Sequence, residues 1–195
     1  CLKGYKMYKE FETRTSYEYL QKVIAALEEP VCILGGWAVF FHVNKNFQQA
    51  QGRPYLGSRD IDVGFHISEN TTADEMKDSP LPAQEVLLGT KAHSLAGRDK
   101  QHKRVKDLCD IFALLWYGGS TPRESATKAA RFIQTLKLRQ TFAKLQPEDY
   151  KQAANQLNHA PEEVKRVLDS FTQALHQGLS KGTRKELRSG LVDGM

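Results

Sequence analysis

Hydrophobic and polar positions follow two different periods along this chain. Tyr17, Leu20, Ile24 and Leu27 recur at helical spacing, Thr15 and Glu18 fit an S/T-x-x-E capping box, and Pro30 stops the element; the pattern predicts a first helix over 15–29. Val31-Cys32-Ile33-Leu34 is a short apolar run rich in β-branched residues and halted by Gly35-Gly36, which predicts a buried strand. Trp37 to His42 resumes as a short helix, and the polar stretch from Asn44 to Gly57 reads as a loop. From Arg59 to Ile67 the period becomes two. Ile61, Val63, Phe65 and Ile67 fall on one face of a strand, and Asp60, Asp62, Gly64 and His66 fall on the other.

The rest of the chain returns to the helical period. Glu69 to Pro82 is polar and proline-bounded, hence loop. Gln84 to Gly97 predicts a helix with Leu88, Ala92 and Leu95 on one side and Lys91 beside them. Gln101 to Tyr117 predicts a stronger one, with Val105, Leu108, Phe112 and Leu115 facing the core and Gly118-Gly119 closing it. Glu124 to Leu138, Pro147 to Leu157 and Pro161 to Leu175 read as further helices, with a frayed basic tail after Ser180. The expected fold is α/β: a small mixed sheet flanked by helices over 1–119, followed by an all-helical subdomain over 120–195.

Composition adds limits. At 195 residues with 40% hydrophobic and 26% charged positions, the chain suits one globular domain, or a domain with a helical appendix, and excludes a disordered, collagenous or disulfide-scaffold protein. Val31 to Val43 is broken by Gly35, Gly36 and His42, well short of the roughly 20 apolar residues a membrane span needs. With no secretory signal and three scattered cysteines, Cys1, Cys32 and Cys109, lacking any CxxC, the expectation is a cytoplasmic protein with reduced thiols and no membrane partner. The net charge of +5 is uneven: residues 1–100 hold 12 Lys and Arg against 13 Asp and Glu, and residues 101–195 hold 16 against 10. The basic second half suits a polyanion such as nucleic acid, and equally a solvated helix surface.

The candidate chemistry lies where the period changes. Glycines at a strand-to-helix turn let a polyphosphate approach the backbone, and the following helix N-terminus supplies N–H groups and partial positive charge. Asp60 and Asp62, about 6 to 7 Å apart at Cα by strand rise, repel one another unless a cation sits beside them. Mg²⁺, which favours carboxylate, phosphate and water oxygens, is the expected cofactor. Taken singly, Gly-Gly is a turn and DxD a solvated pair; taken in this order, they point to metal-assisted phosphoryl or nucleotidyl transfer. A P-loop is excluded because no GK[ST] follows Gly36, and a Rossmann fingerprint because G-x-G-x-x-G is missing.

Leu34-Gly35-Gly36-Trp37-Ala38 followed by Gly57-Ser58-Arg59-Asp60-Ile61-Asp62-Val63 resembles the core motif of the nucleotidyltransferase superfamily. Lys91-Ala92-His93-Ser94-Leu95-Ala96-Gly97-Arg98, followed by Lys106-Asp107-Leu108-Cys109-Asp110-Ile111, is similar to the AbiEii-like toxin branch of it. The resemblance spans 31–115. It implies an NTP substrate, with Gly35, Gly36 and Ser58 at the triphosphate and Asp60 and Asp62 as Mg²⁺ ligands. Lys91 is implied as a charge against the phosphates, and Asp107 as an active-site carboxylate that acts on the acceptor hydroxyl or orients Lys91. It implies an acceptor on an RNA or tRNA end or on a protein, and an antitoxin protein as partner. Read from the residues alone, Lys91 is also a solvent-facing lysine, and Asp107 and Asp110 also pair with Lys103 and Lys106 at i,i+4. The third carboxylate that many such enzymes place on a further strand is not found: 67–85 offers Asp74, Glu75 and Asp78 without a strand. Either Asp107 replaces it, or a segment is missing between Ser68 and Pro80. A catalytically idle module that binds nucleotide or nucleic acid is the alternative reading.

Overall fold

The computed structural model describes residues 8–27, 31–65 and 81–189. In chain order these form α1 (Glu10–Ala26), β1 (Val31–Ile33), α2 (Gly35–Gln51), β2 (Val63–Phe65), α3 (Gln84–Ala96), α4 (Gln101–Tyr117) and α5 (Pro122–Ala129). A 3-10 turn (Ala130–Phe132), α6 (Thr135–Lys144), α7 (Pro147–Leu157) and α8 (Pro161–Ser189) complete them.

The expected mixed sheet flanked by helices is not formed: the chain is mostly helical, and its described strands are two antiparallel segments of three residues. Val31 pairs with Phe65, Cys32 with Gly64 and Ile33 with Val63. Only these two short runs offer apolar surface at a strand period, and nearly all other buried apolar residues lie on helices. The second strand is also shorter than its alternation suggests, because Arg59 and Asp60 form a bend before it. Ile61 and Val63 still pack on the core while Asp60 and Asp62 are exposed, so the alternation survives outside the ladder.

Four helices differ from their sequence patterns. Helix α2 runs through what reads as a loop, since Val39, Val43 and Phe47, four residues apart, are all fully buried on one stripe. The expected helix over 124–138 instead breaks at the 3-10 turn, where Phe132 packs on Gly89 of α3; a Cβ at Gly89 would stand 2.6 Å from that of Phe132. Helix α1 starts at Glu10, before Thr15, with the Glu12 carboxylate accepting the Lys9 backbone N–H at 2.8 Å. Helix α8 continues to Ser189, past the expected fraying at Ser180.

Helix α4 is the centre of the molecule. Every residue from Val105 to Leu115 is buried, with α2, α3, α7 and α8 packed around it. A helix enclosed on all sides has no solvated face for its charged residues, so Lys106, Asp107 and Asp110 must find partners inside. Among the described residues no helix is long and apolar enough to cross a membrane.

Candidate active site

The two glycines are required by what lies against them. Gly35 opens α2 with φ +62°, and a Cβ there would fall 2.0 Å from Asp62 Oδ2. A Cβ on Gly36 would stand 2.9 Å from Ser58 Cβ, 3.0 Å from Ser58 Oγ and 3.7 Å from Lys106 Nζ. The Leu34 N–H donates to the Asp62 carbonyl at 2.8 Å, which extends the β1–β2 pairing and fixes Asp62 beside the turn. No side chain caps α2: its N-cap is Leu34, and the Ala38 N–H makes the first bond back, to the Leu34 carbonyl. The first-turn N–H groups thus have no partner among the described residues, and Asp62, Ser58 and Lys106 lie against the glycines that carry them, a setting that receives anions at helix N-termini.

Replacing Gly35 by Ala is expected to cost at least about 1–2 kcal/mol from the left-handed conformation alone, and to displace the Asp62 carboxylate as well. Gly52 has φ +66° and nothing within 4 Å of its missing Cβ, so Gly52→Ala carries the conformational cost without the clash. Urea titrations should show Gly35→Ala as the less stable of the two. Equal losses would mean that Asp62 does not press on the turn.

Beneath this turn lies a buried ionic network. Asp110 receives Lys106 Nζ on Oδ1 at 2.5 Å and meets Lys91 Nζ at Oδ2, 2.7 Å away. The Tyr55 hydroxyl also donates to Asp110 Oδ1, at 2.9 Å. Asp107 accepts from Arg98 Nε at 2.8 Å on Oδ2 and from Lys91 Nζ at 3.4 Å on Oδ1. Three cations thus face two carboxylates within the network, and Asp62 brings a third carboxylate to the N-terminus of α2.

Burial works against the charge of Asp110, but Lys106 and Lys91 outweigh it and hold its carboxyl below the ordinary range. Burial likewise opposes the Lys91 charge, and Asp110 and Asp107 outweigh it, so its pKa is raised. Burial, and then Asp110, push the Tyr55 phenol well up and keep it a neutral donor. Asp110, with its lowered pKa, stabilises the fold above about pH 4, and that contribution is lost as pH falls through the folded-state value. Lys91, with its raised pKa, contributes fully below about pH 10, and its share is lost only as pH rises through its folded-state value. Melting temperature is therefore expected to form a plateau between these limits, and to fall on the acid side less steeply in Asp110→Asn than in the parent chain.

The structure brings Gly35, Gly36, Ser58 and Asp62 together with the network of Lys91 and Asp107. Asp60 stands in the bend before β2, exposed, two residues from Asp62. Lys91 does not face solvent: its side chain is 11% exposed and lies between Asp107 and Asp110. Asp107 pairs with Lys91 and Arg98 rather than with Lys103, whereas Asp110 does take Lys106 at i,i+4. Both oxygens of Asp107 are held by cations, which suits orienting Lys91 better than accepting a proton. Tyr55 has no expected role in the sequence, and its one signal is an aromatic residue inside a polar stretch. Arg53 donates to the Gln156 carbonyl at 2.5 Å and joins the end of α2 to α7. His66, Asp74, Glu75 and Asp78 lie outside the described residues.

Asp60 and Asp62 offer two exposed carboxylates, and among the described residues no three His, Cys, Asp or Glu side chains gather. That donor set does not make a closed metal cage. It fits Mg²⁺, which is held by one or two carboxylates and completes its shell with water and substrate phosphate. A cavity of about 500 Å³ opens elsewhere, between α6, α7 and α8, lined by Arg139, Tyr150, Lys165, Asp169 and His176 among others. It contains no residue of the glycine turn or the ionic network, and it brings no comparable convergence of backbone donors and charge. Compared with known protein families, characterised proteins and solved structures, the chain matches none.

Proposed function

We propose that this chain is a nucleotide-binding protein and, more narrowly, a Mg²⁺-dependent nucleotidyltransferase of the AbiEii-like kind. The observation that supports this best is the convergence at the first turn of α2. Gly35 and Gly36 are free of Cβ atoms where Asp62, Ser58 and Lys106 approach, above the network of Lys91, Lys106, Arg98, Asp107 and Asp110. A nucleoside triphosphate suits such a place, because its phosphate oxygens accept from helix N–H groups, hydroxyl and ammonium together. Asp60 and Asp62 would hold Mg²⁺, which supplies Lewis-acid stabilisation of charge on the phosphoryl oxygens when bound. An acceptor hydroxyl attacks the α-phosphorus and gives up its proton to water, a new P–O bond forms, the bond to the bridging α–β oxygen breaks, and pyrophosphate leaves. Lys91, Asp107 and Arg98 hold the floor of the site in register through their ion pairs.

The acceptor, on the resemblance to the toxin branch, is an RNA or tRNA end or a protein side chain, with an antitoxin as regulatory partner and the cytoplasm as location. The basic second half suits RNA. With Mg²⁺ and each labelled NTP, the chain is expected to move label to RNA or to protein and to release pyrophosphate. One observation favours the idle module as a second reading: no third carboxylate joins Asp60 and Asp62 among the described residues. Nucleotide binding without transfer to any acceptor would decide for that reading.

A further inference from the structure

We infer that Lys106, rather than Lys91, is the lysine that contacts the phosphates, and that Asp110 and Tyr55 are positioning residues holding its ammonium at the first turn of α2. The inference rests on the nucleotide site proposed above, and it names the part of the ligand recognised there: an oligophosphate tail.

The two lysines differ in what surrounds them. Lys91 Nζ lies between two carboxylates, 2.7 Å from Asp110 Oδ2 and 3.4 Å from Asp107 Oδ1, so its charge is taken up inside the protein. Lys106 Nζ has one hydrogen-bond acceptor, Asp110 Oδ1, and rests over the Tyr55 ring, 5.5 Å from its centroid. An ammonium carries three donors. Among the described residues nothing else accepts from Lys106, although the residue is only 7% exposed. Its Nζ is the charged atom 3.7 Å from the point where a Gly36 Cβ would be.

Ser58 provides an independent sign that something belongs there. It too is 7% exposed, and its hydroxyl has no partner among the described residues. Its Oγ lies 3.0 Å from that same point. The Ser58 hydroxyl, the unused N–H groups of Lys106 and the first-turn N–H groups of α2 are donors that one acceptor group can serve together. An oligophosphate is the chemical group that serves all three, with several acceptor oxygens and a negative charge for the Lys106 ammonium. The i,i+4 spacing of Lys106 and Asp110 on α4 sets the reach, and the Tyr55 hydroxyl on the same Asp110 oxygen sets the direction.

The first test uses the unmodified chain. An acyl-phosphate derivative of an NTP transfers its acyl group to the lysine amine nearest the phosphates, and peptide mass spectrometry locates the amide formed. Labelling is expected at Lys106, suppressed by excess NTP with Mg²⁺; labelling at Lys91 in its place overturns the inference. Titration calorimetry with inorganic triphosphate and Mg²⁺ is the second arm. Lys106→Gln is expected to weaken binding by about 10- to 100-fold, the size of a lost charge-assisted hydrogen bond, and Lys106→Arg to recover part of that loss. Affinity unchanged in a folded Lys106→Gln variant, or no triphosphate binding by the parent chain, overturns the inference. Triphosphate binding that depends on Lys106 without any nucleotidyl transfer upholds it while removing the transferase reading.

Discussion

Asp110→Asn is expected to destabilise the fold by about 3–5 kcal/mol, the usual cost of removing one partner from a buried ion pair. The residue is fully buried and neutralises two lysines at once. Without it, among the described residues Lys106 keeps no carboxylate partner, and Lys91 keeps only Asp107, at 3.4 Å. The Asn side chain preserves volume and still accepts from the Tyr55 hydroxyl, so the loss reports charge rather than a cavity. For a chain of this length it corresponds to a drop in melting temperature on the order of 10 °C. The matching control is Asp169→Asn, which breaks the exposed Lys165–Asp169 pair and should cost less than about 1 kcal/mol. Thermal melts that place the two variants together would show that the α4 network is not the buried keystone described above.

The largest functional effect is expected from Asp60→Asn combined with Asp62→Asn. Transfer should fall by about 10³-fold or more, because charge stabilisation by a bound metal is worth several kcal/mol. Stability should move by no more than about 0.5 kcal/mol, since both side chains are exposed. The contrast with Asp110 is the useful part. On the proposed function Asp60 and Asp62 serve a ligand, whereas Asp110 serves the fold, so activity and stability should separate cleanly between the two variants. Steady-state transfer rates and urea titrations on the same preparations measure both. Unchanged transfer in the double variant would remove Asp60 and Asp62 from the site.

How much of this was legible in the sequence depended on whether the local pattern matched the surroundings. Helices α4 and α7 have the bounds their periodicity predicts, because strong apolar spacing and flanking glycine or proline agree there. Helix α2 was hidden because seven of the nine residues from Val43 to Gln51 are polar or small, and only Val43 and Phe47 carry its buried stripe. The sheet was over-read. Alternation from Arg59 to Ile67 reports which side chains face the core, whereas a strand also needs a partner, and β1 offers three residues.

The same distinction explains the site. Gly35, Gly36, Asp60 and Asp62 stood out as candidates because their residue types are informative in themselves. Lys106 and Asp110 were not, because an i,i+4 Lys–Asp pair on a helix usually sits at the surface. Nothing in local spacing shows that four other helices enclose α4. Ser58 was named through the resemblance, whereas Tyr55 and Arg98 join the site only through tertiary packing.

The position of a bound, non-hydrolysable nucleoside triphosphate in a crystal with Mg²⁺ would test this account most directly. The phosphates are expected on the first turn of α2, between Ser58 Oγ and Lys106 Nζ, with Asp60 and Asp62 on the metal. Density for the triphosphate in the cavity between α6, α7 and α8, or at any place apart from Gly35 and Gly36, would contradict it.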